Sequence, residues 1–163
     1  MKKSFKEEQS FIKFWVFKLV LLGLIPSIFL LTKQLIENKT TVFSYSIFML
    51  IIFSTTLFLF LLKLKTKIDS VGLHYQFFPF HLSYKVINWH QIKSIYTRNY
   101  DAINEYGGWG LRSGLFWNNN GSAYNVSGSI GIQIELKNGK KILIGTQKQT
   151  EADNTINKYF KNK

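Results

Sequence analysis

FWVFKLVLLGLIPSIFLLT (residues 14–32) and FSYSIFMLIIFSTTLFLFLL (residues 43–62) decide how this chain is organised. The runs are 19 and 20 residues long. At about 1.5 Å per residue each makes a helix of about 30 Å, the thickness of a bilayer's hydrocarbon core. The pattern predicts two transmembrane helices in a hairpin. Beyond Leu62 the sequence turns polar and alternating to its last residue, Lys163. The chain is therefore expected to divide into a leader with a membrane hairpin, residues 1–63, and one water-facing domain, residues 64–163.

Charge orients the hairpin. Lys2, Lys3, Lys6 and Lys13 precede the first run, and Lys63, Lys65 and Lys67 follow the second. The connection Lys33–Thr41 holds only two lysines and one acid. Basic flanks stay on the cytoplasmic side, facing an anionic leaflet, so both termini are expected inside. A signal peptide is the competing reading of the first run. Its length, and the lack of a small-x-small cleavage site, favour a span. Lys18, one turn inside, can extend its ammonium to the headgroups. Pro26 removes a backbone donor in mid-span and is expected to bend the first helix.

Roughly 100 residues are left for the domain, enough to bury one core. The net charge is +12, with nine acids, three histidines and no cysteine. Disulfides, thiol nucleophiles and Cys-ligated metals are excluded. His74, His81 and His90 lack metal-ligand spacing, so neither a metal nor a cofactor is expected. Only two arginines, Arg98 and Arg112, are present, and the lysines cluster beside the apolar runs. That distribution points to a membrane and away from nucleic acid.

Period-two alternation predicts antiparallel strands at 66–69, 73–80, 85–89, 92–98, 129–137 and 140–146, with a further one near 123–126. The clearest pair is Ile130-Gly131-Ile132-Gln133-Ile134-Glu135-Leu136 and Lys140-Lys141-Ile142-Leu143-Ile144. Asn138-Gly139 between them is expected to supply the positive φ angles of a tight turn. A closing helix is expected over 147–163, with Ala152, Ile156, Tyr159 and Phe160 on its apolar stripe and Thr146 or Thr150 as its cap.

About seven short antiparallel strands followed by one helix form an order that resembles the pleckstrin-homology-like (PH-like) domains of bacterial membrane proteins. Ile68-Asp69-Ser70-Val71-Gly72-Leu73, Val86-Ile87-Asn88-Trp89-His90-Gln91-Ile92 and Asn138-Gly139-Lys140-Lys141-Ile142-Leu143-Ile144-Gly145-Thr146 carry the resemblance. With the paired helices, it implies a membrane α-hairpin followed by a PH-like domain, in a multi-pass protein of the bacterial inner membrane. That fold hosts lipid, peptide and protein binding alike. The Ser70-Val71-Gly72 loop holds no basic residue, unlike the phosphoinositide-binding loop of eukaryotic members.

An insertion at about 99–128 departs from the minimal pattern, and it contains the candidate site. In Tyr106-Gly107-Gly108-Trp109-Gly110-Leu111-Arg112 the glycines free the backbone to approach a partner, while Trp109 and Arg112 offer stacking and a planar charge. Trp117 and Tyr124 would complete an aromatic surface. Alternatively, Trp109 folds inward and the glycines permit a bend or bulges. Asp101 and Glu105 lie near Arg112 in sequence, which implies either a salt bridge or a site. No catalytic set is recognisable. The expected function is a non-enzymatic interaction or scaffold module that binds a protein partner or its own copies at the anionic inner leaflet. The alternative is a small membrane enzyme or lipid-handling protein in which Asp101, Glu105 and a histidine converge under the Gly/Trp loop.

Overall fold

A computed structural model describes residues 4–13, 15–112 and 120–161. The chain forms two compact units, Ser10–Leu62 and, from both sides of it, Met1–Gln9 with Lys63–Lys163. The first unit is helical. After a 3-10 turn at Phe11–Lys13 come α1 (Trp15–Ile36) and α2 (Val42–Leu61). Both are long and apolar enough to cross a membrane. Thr41 caps α2 by accepting the Ser44 N–H at 3.2 Å. Helix α1 continues through Pro26, and Ser27 Oγ donates to the Gly23 carbonyl in the adjoining turn. Thr32 and Tyr45 hydroxyls meet between the helices at 3.4 Å.

Among the described residues the second unit contains nine strands, not about seven. One sheet has the order β1-β2-β3-β4: β1 (Phe5–Ser10), β2 (Lys63–Ile68), β3 (Gly72–Phe78) and β4 (Lys85–Asn88). The other has the order β5-β8-β9-β7-β6: β5 (Ile92–Asn99), β6 (Gly110–Arg112), β7 (Ser122–Asn125), β8 (Ile130–Leu136) and β9 (Lys141–Gly145). Two short helices complete it, α3 (Ala102–Tyr106) and α4 (Gln149–Ile156), the latter continuing into a π-helical turn at Asn157–Lys161.

Strand β1 comes from the leader that the sequence grouped with the hairpin. Its buried side is Phe5, Glu7 and Gln9, so two of its three inward residues are polar. Both make hydrogen bonds at the end of β9. Thr146 Oγ1 and the Gln147 N–H donate to the Glu7 carboxylate at 2.6 and 2.7 Å, and Gln9 Nε2 donates to the Gly145 carbonyl at 2.8 Å. Because β1 and β2 are neighbours, the whole helical hairpin occupies the connection between two adjacent strands.

The core lies between the sheets. Leu64, Ile68, Leu73 and Phe77 of the first face Ile132, Ile134 and Ile144 of the second, and all seven are essentially inaccessible. At about 1.5–3 kcal/mol for each fully buried side chain, this layer dominates folding. Helix α4 closes the layer with Ala152 and Ile156 against β2, β5 and β8. Trp89 is buried under Tyr159 and Phe160 of the π-turn and donates its Nε1–H to the Asp69 carbonyl at 3.0 Å. Gly72 is obligatory, because a Cβ there would collide with the Ile87 carbonyl.

Three local expectations are corrected. Strands β7 and β9 run parallel, Ala123 opposite Leu143, with a four-residue connection from Val126 to Ser129 carrying the chain past the end of β9 to β8. Gln147 Nε2 pins that connection by donating to the Ser127 carbonyl at 2.8 Å. The β8–β9 turn is wider than the sequence implies: only Gly139 has positive φ, at 82°, and the Leu136 N–H donates to Lys140 O. Asn138 instead accepts the Lys140 N–H on its side chain. Neither threonine caps α4 by a side-chain bond. Lys148 stands at the cap, and Thr146 accepts the Lys148 N–H while donating to Glu7.

Glu7 therefore ties the leader to the end of β9. Glu7→Ala removes two charge-assisted bonds and is expected to cost about 2 kcal/mol, whereas Ile103→Ala, 61% exposed, should stay within about 0.5 kcal/mol. Hydrogen exchange at the Gln147 amide and along β1 should quicken in Glu7→Ala. Unchanged protection at both places would show that β1 is held by other contacts.

Candidate functional site

The insertion folds as a cover on the five-stranded sheet. Ala123 and Leu143, on the face away from the inter-sheet core, are joined by Tyr100, Ala102 and Tyr106 in a second small cluster. Trp109 packs on this cluster, half-buried, and its Nε1–H donates to the Gly128 carbonyl at 3.3 Å. It has turned inward. Gly107 closes α3 in the left-handed region at φ 72°, and Gly110 donates its N–H to Asn125 Oδ1 at 2.8 Å.

A polar latch fastens this cover to β5. Arg98 donates from Nη2 to Glu105 Oε2 at 2.6 Å and from Nη1 to Oε1 at 3.1 Å, a bidentate pair. The same guanidinium donates to Gln133 Oε1 and the Tyr106 hydroxyl. Glu105 further accepts the Asp101 N–H at 2.9 Å. The Arg98 side chain beside Glu105 holds that carboxyl below its ordinary value against the opposing effect of burial, and Glu105 raises Arg98 in return. Asp101 is the N-cap of α3. It accepts from the Asn104 and Ile103 amides at 2.9 Å, and these bonds lower its carboxyl. The acids of the insertion thus fix its own helix and its seat on the sheet.

Of the eight residues singled out from sequence, the seven that are described do not form one surface. Tyr106 is buried, Trp109 half-buried, and Gly107, Gly108 and Gly110 shape the backbone around them. Arg112 is exposed on β6, an edge strand among the described residues, with its guanidinium against Gly108. Tyr124 points to the opposite face of the sheet. Its ring lies 4.8 Å from Tyr75 and 5.4 Å from His81, within an aromatic group that includes Phe77. Trp117 lies outside the described residues.

Asp101, Glu105 and the histidines do not converge. His74 bonds Asp69 at 3.1 Å, His81 sits among the aromatic rings, and His90 is exposed. Burial, then Lys85, lowers His81, whose Nδ1 accepts the Phe77 N–H. Burial would raise the Asp69 carboxyl, but Lys67, the Val71 N–H and His74 together hold it well below the usual carboxylate range. Among the described residues no group of three or more His, Asp or Glu side chains could hold a metal ion.

The sequence reading overlooked a second region, on the outer face of the four-stranded sheet. A groove of about 480 Å³ is lined by Lys6, Glu7, Glu8, Lys65, Thr66, Lys67 and Tyr84. Its lysines were visible as membrane flanks. Their gathering in one groove needed β1 beside β2, and the leader gave no strand signal strong enough to place it there. No protein-family model matches the chain, and comparison with curated proteins and with solved structures finds no match.

The latch gives the insertion an acid-sensitive attachment. Glu105 is depressed in the folded state, so its contribution is complete above the unfolded carboxylate value of about 4.3 and is lost as pH falls through the lower folded value. Lowering pH from 6 to 3 should reduce protection factors, taken relative to the intrinsic exchange rate at each pH, across 101–112 ahead of those in β8 and β9, and Glu105→Gln should show low protection in this segment even at pH 6. A Glu105→Gln protein as well protected as wild type at pH 6 would remove the latch from this account.

Proposed function

We propose that the chain is a non-enzymatic interaction module anchored in a bacterial inner membrane, and that it binds a protein partner or a second copy of itself at the cytoplasmic surface. The observation that carries this reading is that the Gly/Trp insertion contains β6, which among the described residues is an edge strand of the five-stranded sheet, with Arg112 exposed on it. An edge strand offers backbone groups that a partner strand can extend, and a neighbouring planar charge adds selectivity. Tethering at a surface raises effective concentration, so a short edge suffices.

Two apolar helices joined by a short connection support the anchor. Met1–Gln9 and Lys63–Lys163 belong to one unit, so a hairpin that crosses the bilayer and returns leaves both on one side. The lysines of that unit favour the cytoplasmic side. The domain is in our reading a PH-like variant: two sheets share one core, and a C-terminal helix closes it. It is enlarged by β1 from the leader and by β6 from the insertion. Taking up Asp101 in a helix cap and Glu105 in an ion pair favours binding over the alternative of a small enzyme or lipid-handling protein.

The test is extraction of the full chain in native lipid particles, with mass spectrometry of copurifying protein, for wild type, Arg112→Glu and Trp109→Phe. Arg112→Glu changes an exposed side chain and should lower recovery of a stoichiometric partner, or of a differently tagged copy, about tenfold. Trp109→Phe, which keeps an aromatic ring on the cluster, should retain it. Equal recovery in all three would remove the β6 edge from the reading.

A further inference from the structure

We infer that the β3–β4 loop, residues 79–84, is a second membrane contact that inserts its apolar side chains among the lipid headgroups; the inference rests on the anchor just proposed and deepens it. The loop exposes large apolar groups: Leu82 is 84% accessible, Phe80 56% and Tyr84 45%. It is nevertheless well fixed. Gln76 Nε2 donates to the His81 and Leu82 carbonyls at 3.1 and 2.9 Å, and the His81 N–H donates to the Phe77 carbonyl at 2.8 Å. Three large apolar or aromatic side chains held out by one ordered loop make a patch of the kind that a membrane or partner covers.

Chain connectivity identifies the cover. Strand β2 begins at Lys63, two residues after α2 ends at Leu61, and Lys63 pairs directly with Phe78, the last residue of β3. Paired Cα atoms are about 5 Å apart and two further residues add at most about 7 Å, so Phe80 starts within about 12 Å of Lys63. The loop thus leaves the sheet at the end where the chain arrives from a membrane span. The Ser70–Val71 turn is at the other end of β2, about 20 Å away along six residues.

Charge fits the same occupant. Lys63, beside the loop, and Lys65 and Lys67 beyond it lie on the outer face of β2, with Lys6 of β1 on the same groove. Lys63 and Lys65 share a single carboxylate, Glu8, which leaves a basic excess at the end of β2 beside the loop. Tyr84 next to Lys85 provides the amphipathic ring and cation typical of an interface. An aromatic and an aliphatic tip flanked by lysines match an anionic bilayer surface better than a protein groove, which would need shape complementarity.

The chain has no cysteine, so one nitroxide can be attached at a single introduced position. Full-length Leu82→Cys, Ser70→Cys and Phe53→Cys proteins, spin-labelled in bilayers containing phosphatidylglycerol, are compared for collision with oxygen and with a water-soluble nickel chelate. All three native side chains are exposed, so labelling disturbs no packing. We expect an oxygen-to-nickel ratio at 82 several-fold above that at 70 and approaching that at 53. A ratio at 82 equal to that at 70, with 53 in lipid, overturns the loop contact and leaves the anchor standing. An aqueous signal at 53 overturns the anchor and the loop contact together.

Discussion

The pairing of β1 with β2 is the constraint on which the rest of the structure depends. Neighbouring strands are ordinarily joined by a tight turn, and here a pair of helices of 22 and 20 residues takes its place. The chain passes between its two units at adjacent points, and the Phe11 N–H donates to the Leu62 carbonyl at 3.4 Å where the hairpin closes. Few residues are free to act as linker: β1 ends at Ser10 and β2 starts at Lys63.

The second constraint is that the five-stranded sheet has two faces to cover and only one partner sheet. Ile132, Ile134 and Ile144 take the inner face. Leu143 and Ala123, alternating with them, would leave apolar surface in water on the other. The Gly/Trp insertion supplies the missing layer, with Tyr100, Ala102, Tyr106 and Trp109 set on that face. This accounts for the inward turn of Trp109 better than any ligand does. A lone indole in water gains little, whereas packing it and giving its N–H to Gly128 meets both of its needs. The glycines let a short segment reverse direction closely enough to lay a third layer on the sheet.

Legibility in the sequence follows from how each element is stabilised. The helices and the β8–β9 pair were readable because their own residues carry an uninterrupted period. Strand β1 was not: Phe5-Lys6-Glu7-Glu8-Gln9-Ser10 buries a glutamate and a glutamine, whose hydrogen bonds go to Gly145, Thr146 and Gln147, more than 130 positions away. The parallel β7–β9 pair hid for a related reason, since its short connection is held by the distant Gln147. For the candidate site, the residue types were informative and their grouping was not. Trp109 and Tyr124 belong to opposite faces of one sheet, and nothing in the sequence marks Arg98, which grips the insertion, beyond its being one of two arginines.

Glu7 and Arg98 do equivalent work at the two places where a short segment is fastened to the five-stranded sheet. Each is a partly or fully buried charge with several hydrogen bonds, and each joins an added segment to the five-stranded sheet, Glu7 for β1 and Arg98 for the insertion. Apolar contact alone would leave such short segments free to slip by a residue, because hydrophobic attraction is not directional. A charge with fixed partners penalises any other register, since slippage would strand it without bonds in a partly desolvated place. The extensions therefore rest on polar contacts for position and on modest apolar area for strength. It follows that the leader and the Gly/Trp cover can loosen without unfolding the inter-sheet core, each being held in place by a few directional bonds to one charged side chain.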